Sequence, residues 1–162
     1  MLDRTIISQA AVLLDACRTR SVLLATAESC TGGLIAAALT AIAGSSDVVD
    51  RGFVTYSNDA KTEMLGVPVA LIKSHGAVSE PVARAMAEGA VARSNAGRTI
   101  AVTGVAGPGG GTAAKPVGLV WFGLARRDGP TVAESRIFPG DREEVRAATV
   151  AHALTMLDRS LD

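Results

Sequence analysis

The chain has 162 residues, enough for a single domain with a substantial core. Its 16 Lys and Arg balance 16 Asp and Glu. The zero net charge argues against broad electrostatic attraction to nucleic acid or an anionic membrane. It is 48% hydrophobic but only 3% aromatic, so the core must be built from Ala, Val, Leu and Ile, and few rings are available for base stacking.

The two cysteines, Cys17 and Cys30, and the two histidines, His75 and His152, show no zinc-site spacing. A hydrolase of this sequence is therefore expected to work without a tightly bound metal. The first residues lack a basic segment followed by an apolar block, and no apolar run reaches the roughly 18 residues of a membrane span. These features predict a cytoplasmic protein with free thiols.

In chain order, Ile6, Ile7, Ala10, Leu13, Leu14 and Cys17 recur at helical spacing, predicting an amphipathic helix over residues 2–20. Residues 21–27 read as a buried strand. Leu34 opens a helical run that stops at Gly44 and is apolar almost all round, which predicts a largely buried helix. Residues 50–56 read as a strand, Ser57-Asn58-Asp59 offers a helix cap, and residues 60–65 form a short helix ended by Gly66. Residues 68–73 are a further helical turn or connector. Ser79 caps a helix running to about Arg93, with Pro81 in its first turn. Residues 98–103 are a strand and 104–116 a glycine-rich loop. Residues 117–125 and 131–138 are strands joined by a turn, predicting a hairpin. Residues 141–161 close the chain as a helix. The order α-β-α-β-α-α-β-β-β-α, with no internal repeat or linker, predicts one domain over 1–162: a three-layer α/β/α fold whose mixed sheet carries helices on both faces.

The chemistry is sought first at Thr26-Ala27-Glu28-Ser29-Cys30-Thr31-Gly32-Gly33, a strand-to-helix turn. Free backbone N–H groups at such a turn can hold an anion or flank a nucleophile. Ser29 is either a cap for the following helix or a nucleophile. The segment is not the Gly-x-Ser-x-Gly elbow, and two scattered histidines give a Ser-His-Asp triad little support. Lys61 can be the base instead of a solvated surface lysine. With Asn58 as N-cap it falls at the third helical position, where the dipole disfavours a cation by about 0.3–1 kcal/mol. That lowers the pKa by less than about one unit, whereas a neutral amine at pH 7 needs about three, so burial must do most of the work. Tyr56 can relay or orient a proton, or be a half-buried strand aromatic. Cys30 is a rival nucleophile or a small buried hydrophobe.

Thr103-Gly104-Val105-Ala106-Gly107-Pro108 matches neither a Walker nor a dinucleotide loop. It is a flexible hairpin loop or a backbone wall against a substrate, with Thr103 aimed into the site. Lys115 and Arg142 are solvated charges or phosphate ligands.

Together these segments resemble the C-terminal domain of the CinA (competence/damage-inducible) family. The motifs are residues 26–33, Gly44-Ser45-Ser46, residues 52–61, Gly76-Ala77-Val78-Ser79, residues 103–108 with Lys115-Pro116-Val117-Gly118, and Gly140-Asp141-Arg142. The resemblance covers about residues 21–150, and the loop at 109–114 departs from it. It implies a nicotinamide-nucleotide amidase, which hydrolyses nicotinamide mononucleotide to nicotinic acid mononucleotide and ammonia. By the same resemblance Ser29 is the nucleophile, Lys61 its base and Tyr56 an assistant; no cofactor or metal is expected.

The expected substrate-binding positions are Cys30, Thr31, Gly32, Gly33, Asn58, Thr103, Gly104, Gly107 and Arg142. The backbone of Cys30–Gly33 would serve an oxyanion, and Arg142 a phosphate. Functions of the larger N-terminal domain found in many members are not carried over. A homo-oligomer is expected, and nucleic acid is not. Two rivals stand beside this reading: a non-catalytic nucleotide-binding module accessory to competence or DNA repair, and an amidase for another small carboxamide.

Overall fold

The structure, a computed structural model, describes residues 2–162. Five strands form one sheet in the order β2-β1-β3-β4-β5. They are β1 (Leu24–Glu28), β2 (Val49–Val54), β3 (Arg98–Gly104), β4 (Leu119–Arg126) and β5 (Gly129–Ile137). Strand β1 runs parallel to both β2 and β3, while β3–β4 and β4–β5 are antiparallel. The helices are α1 (Arg4–Arg20), α2 (Leu34–Thr40), α3 (Asn58–Leu65), α4 (Val69–His75), α5 (Glu80–Ala92) and α6 (Arg142–Arg159). The hairpin and the mixed sheet between two helical layers are as the sequence predicts, whereas the element order differs by one added helix, since three helices rather than two stand between β2 and β3. None of these helices is long and apolar enough to cross a membrane.

Alternation along the strands sorts the layers. Leu24, Ile100, Val102, Val120, Phe122 and Leu124 share one core with α1, α2 and α6. Ala27, Ala101 and Ala125 join a second core with α3, α4 and α5. The second face is built from small residues, so its helices lie close to the sheet. Helix α5 also lies close to the end of α3: a Cβ at Gly89 would fall 2.0 Å from the Leu65 carbonyl oxygen. Only glycine permits that approach, which presses α3 into place.

Several boundaries differ from expectation. Strand β2 stops at Val54, which leaves Thr55 and Tyr56 in the connection to α3. Residues Val69–His75 form a helix of their own. Helix α2 is less buried than its apolar sequence suggests. Ile35, Ala38 and Leu39 face the core, whereas Ala37 and Thr40 are exposed, because the helix is covered on one side only. Ser79 precedes α5 but does not cap it with its side chain; its hydroxyl donates to the Gly76 carbonyl instead.

The start of α2 is capped from the sheet. Its N-cap residue, Gly33, has no side chain to offer. Glu28, fully buried at the end of β1, fills that role. Its Oε1 accepts from the Ile35 N–H at 2.9 Å and the Thr31 hydroxyl at 2.6 Å. Its Oε2 accepts from the Ala36 N–H at 2.9 Å and the Thr26 hydroxyl at 3.3 Å. Two helical N–H groups are thus satisfied by a carboxylate placed at the positive end of the dipole. Glu28→Gln turns one acceptor into a donor among these donors. Its expected cost is about 1–3 kcal/mol of stability, read as a lower urea midpoint with an unchanged m-value.

Candidate active site

The carboxyl ends of β1 and β2 lie side by side, yet their chains leave in opposite directions. Strand β1 continues into α2 on one face of the sheet, and β2 into α3 on the other. Such a divergence opens a crevice at the strand ends, the usual ligand position in open α/β sheets. Ser29 directly follows β1, and Thr55 directly follows β2.

The Ser29 N–H donates to the Val102 carbonyl at 3.1 Å, which ties the turn to β3. The chain then reverses through Gly32 and Gly33, whose φ values of 58° and 102° lie in the left-handed region that favours glycine. From the other side, Lys61 projects from α3. Its Nζ lies 3.0 Å from Ser29 Oγ and donates to the Thr55 carbonyl at 2.8 Å. Lys61 is 1% exposed, and Ser29 is half-buried and accessible. No carboxylate pairs with Lys61 among the described residues. Desolvation therefore pushes its amine below the ordinary lysine range. A neutral Nζ can donate to the Thr55 carbonyl and accept the Ser29 hydroxyl proton.

The helix cap differs from the expectation that led to Lys61. Ser57 is the N-cap, and its hydroxyl accepts from the Ala60 N–H at 3.0 Å. Asn58 is then the first helical residue, exposed, and Lys61 the fourth rather than the third. The dipole contribution at Lys61 is correspondingly smaller, and burial carries the shift.

Cys30 is buried, and burial pushes its thiol up to about 12. It is thus a neutral packing residue, not a competing thiolate. Ser29 is not the cap of α2 either, since Glu28 does that work. The Cys30 and Thr31 N–H groups donate to no protein acceptor among the described residues, whereas the Gly32 N–H donates to the Ser29 carbonyl at 3.0 Å. Two free donors thus follow the serine immediately.

The remaining expected residues divide. Tyr56 is exposed, and its hydroxyl accepts from Arg142 Nη2 at 3.0 Å; it makes no hydrogen bond to Lys61 or Ser29. Arg142 Nη1 donates to the Gly107 carbonyl at 2.9 Å. These contacts join the β2–α3 connection, the glycine-rich loop and α6. Beside them lies a cleft of about 520 Å³ lined by Ala106, Pro108, Val117 and Arg142, among others. Ser29 and Lys61 do not line it. Gly104 ends β3 against Val120. Thr103 is buried, and its hydroxyl donates to the Ala77 carbonyl rather than toward the serine. Lys115 donates to the His75 carbonyl, which ties the loop to the end of α4.

Three residues at the site escape a reading of the sequence. Glu28 is a lone charged residue ending an otherwise apolar and hydroxylic strand, a signal that could have marked it as a buried cap. Arg146 follows Arg142 by one helical turn. Its Nε donates to the Cys30 carbonyl and its Nη2 to the Thr31 carbonyl, both at 3.1 Å. Thr55 contributes a main-chain carbonyl, which no side-chain motif reveals. Its own hydroxyl is buried without a hydrogen-bond partner among the described residues. Among the described residues, no group of three His, Cys, Asp or Glu is arranged to hold a metal ion.

The model of the family described as the CinA C-terminal domain matches residues 7–161. A CinA-like protein of Mycolicibacterium gilvum is 56% identical over 138 residues, covering 85% of this chain and 33% of the relative. A CinA-like protein of Gemmatimonas aurantiaca is 50% identical over 151 residues, covering 93% of this chain and 35% of that one. The chain thus spans about a third of the length of the curated relatives it matches. Among solved structures, the competence/damage inducible protein CihA of Agrobacterium tumefaciens superposes with a TM-score of 0.95 at 50% identity, covering 99% of this chain and 98% of the other. The competence damage-inducible protein A of Klebsiella pneumoniae gives 0.92 at 41% identity, covering 96% of each chain. By sequence and by fold alike, the chain belongs to the CinA C-terminal domain family.

Proposed function

We propose that the protein is an amidohydrolase that converts nicotinamide mononucleotide to nicotinic acid mononucleotide and ammonia through a Ser29–Lys61 dyad. The observation that carries this reading is the Lys61 amine, buried without a carboxylate partner among the described residues and 3.0 Å from Ser29 Oγ. A lysine of ordinary function would be solvated or ion-paired. Here the protein accepts the cost of burying it, as expected of a base that must be neutral.

In the mechanism, neutral Lys61 takes the Ser29 proton as Oγ attacks the carboxamide carbon. The carbonyl oxygen becomes an oxyanion, stabilised by the Cys30 and Thr31 N–H groups. The tetrahedral adduct collapses to an ester on Ser29, breaking the carbon–nitrogen bond. The Lys61 ammonium gives its proton to the leaving nitrogen, which departs as ammonia. Lys61 next takes a proton from water, which attacks the ester, and returns a proton to Ser29 Oγ as the acid leaves. The Tyr56 hydroxyl is engaged by Arg142, so proton transfer is assigned to Lys61 alone and Tyr56 to holding Arg142. Arg142 uses two N–H groups on Tyr56 and Gly107, and others remain for a phosphate at the 520 Å³ cleft.

Ammonia release from nicotinamide mononucleotide by wild-type and Ser29→Ala protein, without added metal, tests the reading. Wild type is expected to turn over, and Ser29→Ala to lose at least roughly 10³-fold in kcat while still binding the nucleotide. Nucleotide binding without release by wild type would favour the binding module instead. Equal turnover of free nicotinamide would favour a general carboxamide amidase.

Lys61→Arg keeps the charge but cannot be deprotonated, so it is expected to be inactive at neutral pH. In wild type, kcat/KM should fall on acidification with a midpoint below the ordinary lysine value of about 10.4, as Lys61 becomes protonated.

The same shift affects stability. The unfolded chain holds the Lys61 proton up to about pH 10.4, whereas the native state releases it at a lower pH. Between those two values the unfolded state binds more protons, so native stability rises with pH through that window. Urea midpoints of wild type should therefore climb with pH relative to those of Lys61→Met, and parallel curves would contradict the buried, shifted amine.

A further inference from the structure

We infer that Arg146 is a positioning residue that aims the oxyanion-binding N–H groups behind Ser29, an inference that rests on the serine-nucleophile reading above. Its guanidinium spans two consecutive peptide groups of the turn, donating to the carbonyls of Cys30 and Thr31. The peptide bonds of this turn are trans, so each N–H points away from its own carbonyl. Drawing the Cys30 carbonyl toward α6 turns the Thr31 N–H the opposite way. That N–H has no protein acceptor among the described residues. In the next peptide the carbonyl is held twice, by Arg146 and by the Leu34 N–H at 3.2 Å, and the Gly32 N–H is occupied by the Ser29 carbonyl. That last bond in turn directs the Cys30 N–H, the partner of the Ser29 carbonyl in its peptide group, away from Gly32.

Thr31 is gripped from its other side as well. Its hydroxyl donates to Glu28 Oε1 at 2.6 Å, and Glu28 is locked to α2. A carboxylate inside the fold and a guanidinium from α6 therefore hold one residue of the turn at two points. An N–H held in advance need not reorganise as negative charge develops, which is where an oxyanion hole draws its effect. A cation on the carbonyl also polarises the peptide group, making its N–H a better donor. The position of Arg146 fits this task. It is half-buried, and a Cβ on Gly32 would come within 3.7 Å of its Nη2, so the turn and the guanidinium lie in van der Waals contact.

The test uses a fluorophosphonate probe, whose phosphorus forms a tetrahedral adduct on a serine oxygen with loss of fluoride. It reads nucleophile and oxyanion hole without depending on the natural substrate. The rate of Ser29 modification is followed by mass spectrometry in wild type, Arg146→Met and Arg146→Lys across pH, with urea unfolding of each protein as the folding control. Arg146→Met is expected to react about tenfold to a hundredfold more slowly, less than the ~10²–10³ for outright loss of a donor. Arg146→Lys, with one donor centre and no fork, should fall between. The midpoint of the pH profile should stay where it is in wild type, because the Ser29–Lys61 contact is untouched.

Wild-type rates in Arg146→Met would overturn the inference while leaving the dyad intact. A displaced pH midpoint would overturn it too, by showing a general loosening of the dyad. If Arg146→Met does not fold, Arg146→Lys decides, and a wild-type rate there is equally fatal. A wild-type protein whose Ser29 is not modified overturns both this inference and the serine-nucleophile reading. One that is modified but releases no ammonia from the nucleotide overturns only the choice of substrate.

Discussion

The site depends on one unfavourable arrangement, a lysine amine buried beside a serine with no acid among the described residues to balance it. In water the ammonium form would dominate. In the crevice between β1 and β2 it meets a carbonyl and a hydroxyl, and desolvation favours the neutral amine. The surrounding structure acts to keep that amine in place. The Gly89 contact presses the end of α3 against α5, and Ser57 starts α3 so that its fourth residue is directed at Ser29.

The facing side of the site is held as firmly, and by charges rather than apolar packing. Glu28 ties the serine turn to the start of α2, and Arg146 ties it to α6. Glu28 is saturated by main-chain and hydroxyl donors, and the half-buried Arg146 places two of its N–H donors on main-chain carbonyls, which makes both charges tolerable. A turn rich in glycine and small residues would otherwise be free to sample many shapes. Two charged anchors restrict it to one, with its free N–H groups directly after Ser29.

The sheet topology explains why these parts meet. Adjacent parallel strands whose chains exit to opposite faces leave a gap at their carboxyl ends, and the sequence has placed Ser29 at one strand end and the carbonyl that receives Lys61 at the other. The antiparallel hairpin extends the sheet on the far side. The glycine-rich loop before it accepts from Arg142, which also donates to Tyr56, and a separate cleft lies beside these contacts.

Much of this was legible in the chain itself. The element order follows from hydrophobic periodicity and from glycine, proline and hydroxyl residues at the boundaries, which are local properties. Ser29 at a strand-to-helix turn and Lys61 in the first turns of a short helix could be named for the same reason. What tertiary structure alone decided is non-local. Whether Lys61 is solvated or buried depends on α5 and the sheet. Whether Tyr56 serves the lysine or an arginine depends on how far β2 extends, and it ends at Val54, leaving the ring to Arg142. The partners of Arg146 lie 115 and 116 residues away in the chain, and such a contact leaves no periodicity to read. Local pattern determines which segments fold into which elements. Desolvation and contact across the sheet determine which side chains become chemistry, because both arise only once distant segments are packed together.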